Sequence, residues 1–598
     1  MLNKLAFFIL LLALGSAAAF SQISSAESGA CNPKTAQMLV EQQVLESKSV
    51  VERPKRIKIL LRSADFLWPL DRVTARSYFI EAFKTAGEHF AEKGFERKTI
   101  GDDPSSFAML PDQRIEVIRA VAKRDGELAK KFLEQVLAEY EKTKAGRGDL
   151  DSNREQGDLL SLAAESVNTN PEFAKTLFRS MMRYPPSQNW FFSLYAAARS
   201  DQKFADAMYS EALQNYRGET PVKLLYLSGY PFGNMSSFGI GRTRYSAYVP
   251  EGFVPNPALQ RSFLDLFFAR VGSFSMNVDE TTLVADKGDS APAIYMVSAM
   301  ADIEPVIVTR FPELLQRFSV ARSQASALLT EDMRKEMTDQ QTRASEQVAT
   351  FEDTIKALEE AETEKRLTDF MILRVLFNRR LKNDEQFKKF EPWLAKIKEE
   401  KPREDTSSYF WYLRSELAIK EDRISEAEKM IAKIPELDHR SLLMFEIAKK
   451  QLGSSNDPGG AFDTLNRVSK VTHMSPNSVA KVQVLFGLVE YYDRINHSVA
   501  LDELGETIRV INQLEGADIL QNWIFRQIRG KEFGFSSSYS LPGKNLEGTF
   551  SDVGKKDFEL GLANALALND KYYRTLAVIS VAGNCVQIKQ PPPVKKSK

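Results

Sequence analysis

Residues 159–181 read LLSLAAESVNTNPEFAKTLFRSM. Leu159, Leu160, Leu162, Ala163 and Val167 recur at the three- and four-residue spacing of a helix, and a second such series follows in Phe173, Ala174, Leu177, Phe178 and Met181. Between them, Asn170-Pro171-Glu172 has the chemistry of a helix start: an amide side chain to cap, then proline in the first turn, where its missing N–H costs nothing. Two amphipathic helices joined by so short a connection must fold back on one another as a hairpin.

The same grammar recurs in both directions. Upstream, Ile115, Ile118 and Val121 lead through Asp125-Gly126 to Leu128, Ala129, Phe132, Leu133, Val136, Leu137 and Tyr140. Downstream, Trp190 to Ala198 leads through Ser200-Asp201 to Phe204, Ala205, Met208, Tyr209, Ala212 and Leu213. Two more hairpins follow after an interval. Tyr409 to Leu417 turns at Asp422 into Ile424, Ala427, Met430, Ile431 and Ile434, and Leu442 to Leu452 turns at Asp457-Pro458 into Ala461, Phe462, Leu465 and Val468. Ala129, Ala174, Ala205, Ala427 and Ala461 hold equivalent places in the second helices, with local steps of 45, 31 and 34 residues. A small residue there lets the paired helix approach closely.

These five hairpins, about a third of the chain by the count of periodic segments, resemble the tetratricopeptide-type helical-repeat superfamily. The fuller signature of Trp, Leu-Gly and Tyr in the first helix is missing, and the uneven period suits related helical solenoids as well. The resemblance implies an all-α stack of hairpins whose groove binds peptides or proteins, without assigning any single residue.

Composition sets outer limits. The 598 residues are too many for one compact core, and the 43% hydrophobic and 27% charged content is that of a folded protein. Eighty basic residues cancel eighty acidic ones, so no global field draws the chain to nucleic acid. Residues 1–21 read as a signal peptide: Lys4, the apolar run Leu5 to Leu14, then small residues at Ala17, Ala19 and Ser21. That run is too short to span a bilayer, so the expectation is an exported chain, periplasmic or extracellular, with no membrane span after processing. Two cysteines, Cys31 and Cys585, lie beyond the cleavage site. They either pair or stay free. The oxidising compartment favours pairing, for which loop entropy gives at most about 6 kcal/mol.

The expected organisation is a helical-repeat region over 32–329, a charged connecting helix over 330–366, a second repeat region over 367–590 and a flexible tail over 591–598. Two insertions rich in glycine and aromatic residues interrupt it, at 218–257 and 531–558. The first carries the candidate partner-binding residues Tyr226, Tyr230, Phe232, Phe238, Arg242, Arg244, Tyr245, Tyr248 and Phe253, rings for apolar or sugar faces and guanidinium groups for carboxylates. The alternative for that segment is a plug packed on the stack. The charged helix carries a narrow seam in Val348, Phe351, Ile355 and Leu358, suited to a strut.

No catalytic, cofactor or metal residue is assigned. His89, His439, His473 and His497 contain no pair at the spacing of a helical zinc site. Asp149, Asp151 and Asn153 open like a calcium loop, but Arg154 stands where glycine is needed and Leu160 where glutamate is, which leaves a polar linker between helices. Ser200 with Lys203 and Ser478 with Lys481 have serine–lysine spacing without the supporting elements of such enzymes. Gly239 and Gly241 lack the third glycine of a nucleotide fingerprint, Arg244 taking its place. The expected role is therefore noncatalytic, an exported repeat protein that binds or scaffolds a protein or peptide in the cell envelope. The alternative is an exported all-helical enzyme cleaving polysaccharide or peptidoglycan, with two carboxylates in a cleft.

Overall fold

The computed structural model describes residues 31–99, 107–143, 149–238, 247–276, 291–338, 350–520, 523–531, 533–541, 543 and 545–586. The signal peptide, Arg242, Arg244, Tyr245, Val348 and the tail at 591–598 lie outside them.

Helices α1 (Pro33–Glu46), α2 (Arg53–Leu67) and α3 (Arg72–Lys93) precede a short antiparallel ribbon of β1 (Arg97–Thr99) and β2 (Phe107–Met109). Then come α4 (Gln113–Ala122), α5 (Gly126–Thr143), α6 (Asp149–Ser166), α7 (Pro171–Met181), α8 (Gln188–Ala198), α9 (Gln202–Asn215), α10 (Pro257–Met276), α11 (Pro292–Arg310), α12 (Leu315–Ala327) and α13 (Phe351–Thr363). The remainder is α14 (Asp369–Phe377), α15 (Asp384–Leu394), α16 (Glu400–Lys420), α17 (Ile424–Ile431), α18 (Leu437–Leu452), α19 (Pro458–Met474), α20 (Val479–Asp493) and α21 (His497–Ile511). A second antiparallel ribbon, β3 (Trp523–Arg529) with β4 (Gly534–Ser540), leads to α22 (Leu546–Lys556), α23 (Phe558–Leu566) and α24 (Lys571–Ala582).

The protein is all-α and built of helical hairpins packed in sequence order. α4 pairs with α5, α6 with α7 and α8 with α9, while α4, α6 and α8 also touch in succession as the first helices of adjacent hairpins. The same holds for α16–α17, α18–α19 and α20–α21, with α16, α18 and α20 in a row. Asn170 caps as read from sequence, its Oδ1 accepting from the Phe173 N–H at 3.1 Å, and the breaks at Asp201 and Asp457 are caps too, accepting from Phe204 at 3.1 Å and Gly460 at 2.8 Å. Ala129, Ala174, Ala205, Ala427 and Ala461 are all fully buried. At such positions a larger side chain would force the paired helices apart, an overpacking cost of about 1–3 kcal/mol.

The chain forms two compact units, one of Phe79–Arg366 and one combining Met1–Tyr78 with Leu367–Lys598. The expected partition in simple chain order, 32–329 then 367–590, differs at its amino-terminal end. α1 and α2 present Ala36, Val40, Ile57, Leu60 and Ala64 to a core that also takes α24, and Cys31 and Cys585 are joined in a disulfide with Cα atoms 5.0 Å apart.

Three further expectations are corrected. The charged stretch 330–366 is not one helix, because Thr350 takes up extended backbone and caps α13 anew in a reciprocal box with Asp353. Residues 149–153 are the first turns of α6 and not a linker. The segment 531–558 is not an irregular insertion: it supplies β4 and α22, and β3 just before it shows the period of two that marks a strand, with Ile524, Arg526 and Ile528 buried on one face. Among the described residues one helix, α11, is long and apolar enough to cross a membrane, and its face Ala293, Met296, Ala299, Met300, Ile303 and Ile307 is buried in the protein.

Candidate functional site

Among the described residues, the candidate rings of the aromatic segment range from fully buried to exposed. Tyr230 is fully buried, its ring between those of Tyr195, Tyr209 and Phe253, at 5.3, 5.4 and 5.3 Å, and its hydroxyl donates to Asp206 Oδ1 at 2.8 Å. Phe232 and Phe238 are buried against each other at 5.1 Å. Tyr226 and Phe253 are half-buried, and Tyr248 alone of the described candidates is well exposed, at 68%, with the Arg199 guanidinium 5.4 Å from its ring. The segment is held in place by Tyr195 of α8, whose hydroxyl donates to the carbonyls of Gly229 at 2.9 Å and Asn234 at 3.1 Å. A Cβ on Gly229 would lie 2.3 Å from the Phe191 ring, so this backbone must be bare where it meets α8. Tyr230, Phe232 and Phe238 are thus enclosed by the protein and offer a partner no surface, whereas Tyr248 remains open to solvent.

The open surface lies on the other side of α8. A groove of about 370 Å³ runs between the first helices α6 and α8, lined by Asn153, Arg154, Gly157, Asp158 and Ser161 from one and Asn189, Phe192, Ser193 and Ala196 from the other. Each set follows the helical period, so each is a single face. The helices approach closely here because residue 157 is glycine: a Cβ there would sit 3.0 Å from the Asn189 side chain. Asn189 Nδ2 donates to the Asn153 carbonyl at 2.7 Å and ties the two helices across the groove floor. Phe192 is 38% exposed and gives the groove its one large apolar surface.

Asp158 has the perturbed chemistry of this site. Burial pushes its carboxyl up to about 6, against the opposing pull of Arg154 and Arg119 and with the help of Asp112 and Glu116. Its Oδ2 is shielded from solvent and has no hydrogen-bond partner. Arg154 stacks over Phe95 with its guanidinium carbon 4.7 Å from the ring centre. Beneath, the nearly inaccessible Arg114 bonds Asp112 at 2.6 Å and Glu139 at 2.8 Å and lies 3.3 Å from the Phe90 ring centre. Arg114 also pairs with Glu155 at 3.7 Å, so α4, α5 and α6 share one polar network, and Glu155 further accepts from the Tyr184 hydroxyl at 2.7 Å. Of these residues the sequence singles out only Asn153 and Arg154, and both only against the calcium-loop pattern. The available signal was polar residues on the exposed face of first helices, which every surface helix also shows.

The four histidines and the Ser478–Lys481 pair each meet partners within the fold. Each histidine meets one carboxylate: His89 with Glu96, His439 with Asp438, His473 with Glu503 and His497 with Asp493, at 2.6–2.9 Å. Ser478 caps α20, and Lys481 donates to the His473 and Ser475 carbonyls at 3.1 Å each, a buried lysine spent on backbone. Among the described residues no group of three or more His, Cys, Asp or Glu is placed to hold a metal ion.

Fold and groove together define a protein of the helical-repeat class. No protein-family model matches the chain, and no curated protein matches it in sequence. Among solved structures it is similar to a circular tandem repeat protein with novel repeat topology and enhanced subunit contact surfaces, at 13% identity over 92% of this chain and 96% of that one, with a TM-score of 0.20.

Proposed function

We propose that this chain is an exported, noncatalytic, tetratricopeptide-like repeat protein of the cell envelope, and that it holds an extended peptide or a segment of a partner protein in the α6–α8 groove. The observation that carries this reading is the groove itself, where two adjacent first helices turn one polar face each toward a shared cleft with a single exposed ring, Phe192, at its side. Asparagine amides can pair with a peptide backbone that has no internal partner, the ring can take an apolar side chain, and Arg154 can meet a carboxylate. The 31–585 disulfide supports an oxidising compartment, in keeping with the signal-peptide pattern.

The test is selection of displayed peptides on the processed, oxidised protein, followed by titration against Phe192→Ala and Asn189→Ala. Selected peptides are expected to lose at least about tenfold in affinity, the scale of one good contact, with unfolding temperature unchanged for Phe192→Ala. Peptides that bind all three proteins equally would remove the groove from the argument. The enzymatic alternative has one observation in its favour, the raised carboxyl of Asp158, which suits an acid catalyst. Release of peptidoglycan fragments by the wild type but not by Asp158→Asn would establish it instead.

A further inference from the structure

The side of the β3–β4 ribbon that faces the helices covers a second polar cluster. Arg526 of β3 is 4% exposed, and its Nη1 donates to Ser408 Oγ at 3.0 Å, which in turn donates to Glu436 Oε2 at 2.5 Å. Its guanidinium carbon lies 5.5 Å from the ring centres of both Tyr409 and Tyr412. The other two guanidinium nitrogens, Nε and Nη2, are buried and have no hydrogen-bond partner. They form one edge of the planar group, the fork that takes two oxygens of a single carboxylate or phosphate side by side.

A second orphan stands beside the same rings. His439 is 3% exposed, and its Nδ1 meets Asp438 Oδ1 at 2.8 Å while Nε2 is buried and unpartnered. Tyr539 of β4 closes the box, its ring 5.0 Å from Tyr412 and 5.6 Å from His439. Buried donors are almost always paired, and a buried cation still more so, so two such orphans around one aromatic box indicate a missing occupant. With Nδ1 bound to Asp438, Nε2 accepts from a protonated oxygen when the ring is neutral and donates to an anionic one when it is charged. The exposed Arg379 acts electrostatically on both Tyr409 and Tyr412 and adds positive charge near the box, while Asp438, which interacts electrostatically with Arg526, and Glu436, one hydroxyl away, offset part of that charge.

We infer that Arg526 and His439 form a site for a small oxyanion, a carboxylate or a phosphate group, bound by the Nε–Nη2 edge beneath the β3–β4 ribbon. The ribbon is the cover of this site. Phe535 stacks on Phe377 with ring centres 3.5 Å apart, and Phe533 meets Phe370 at 6.1 Å, so the strand turn is anchored by rings while Tyr539 sits over the box. The proposal is independent of the α6–α8 groove, which belongs to the other compact unit.

The experiment titrates the full oxidised chain, labelled with ¹⁵N at arginine Nε, with sodium acetate and separately with sodium phosphate, at constant ionic strength against sodium chloride. One Nε resonance, absent from the spectrum of Arg526→Lys, is expected to shift saturably with acetate or phosphate and not with chloride. The apparent affinity, read in wild type and variants alike by isothermal titration calorimetry, should fall at least about tenfold in Arg526→Lys, which keeps the charge but loses the fork, and several-fold in His439→Gln. Response to acetate alone assigns a carboxylate ligand, and response to phosphate alone a phosphorylated one. No saturable shift with either anion would overturn the inference, as would an affinity untouched by Arg526→Lys; the resonance readout on unaltered protein decides the matter even where a variant fails to fold.

Discussion

Replacing Asp158 with asparagine should stabilise the protein at neutral pH. Burial raises this carboxyl to about 6 in the folded chain from an ordinary value of 3.8, so the folded state disfavours the charged form. Well below its ordinary value of 3.8 the group is protonated in folded and unfolded chains alike and contributes no penalty. As pH rises through the folded value the unfolded chain ionises freely and the folded chain pays for its charge, so stability falls between about pH 4 and pH 6 and stays lower above that. A shift of about two units corresponds to at most about 3 kcal/mol. Asparagine keeps the shape and removes the charge. For a unit of this size the gain should appear as a rise on the order of 5 °C in unfolding temperature at pH 8 and as a small fraction of that at pH 4. Calorimetric scans of wild type and Asp158→Asn at the two pH values make the comparison. An equal effect at both, or a loss at pH 8, would refute burial as the cause of the shift and with it the picture of a shielded carboxyl on the groove wall.

Gly157→Ala ought to cost about 1 kcal/mol, although alanine favours helix over glycine by about that much, because the new Cβ meets Asn189 at 3.0 Å; the double variant with Asn189→Ala should recover the loss in urea unfolding. Arg114→Ala strips the buried cation from Asp112 and Glu155 and is expected to destabilise the Phe79–Arg366 unit by about 3–5 kcal/mol, seen as a drop in denaturant midpoint. Cys585→Ser should lower stability by about 2–5 kcal/mol and expose α1 to proteolysis before other helices, since the disulfide ties the chain just before α1 to the turn just after α24.

The local signals in the chain were sufficient for the hairpins, because each rests on interactions within a few residues. Asn170 and Pro171 start α7, Asp201 starts α9 and Asp457 starts α19 by contacts three positions ahead, and the apolar residues that follow need only a helical period to form a face. The buried alanines were legible for the same reason. The β3–β4 ribbon was legible in principle, in the alternation of Ile524, Arg526 and Ile528, but the glycines and serines beyond it carried the appearance of a loop.

The sites were a different matter. Asn153 and Asn189 face one another only because α6 and α8 stack in one register, set by the bare backbone at Gly157 and by side chains packed on the far side of both helices. Whether an aromatic residue recognises a partner or fills the interior is decided the same way: Tyr230 and Phe192 are both rings near α8, and packing sends one inside and leaves the other at the surface. By itself the sequence determined which segments are helices and how they pair, since those choices are made over one or two turns of chain. Tertiary structure alone decided which polar groups converge, at the α6–α8 groove and around Arg526, because burial and proximity arise from residues distant in sequence that only the finished stack brings together.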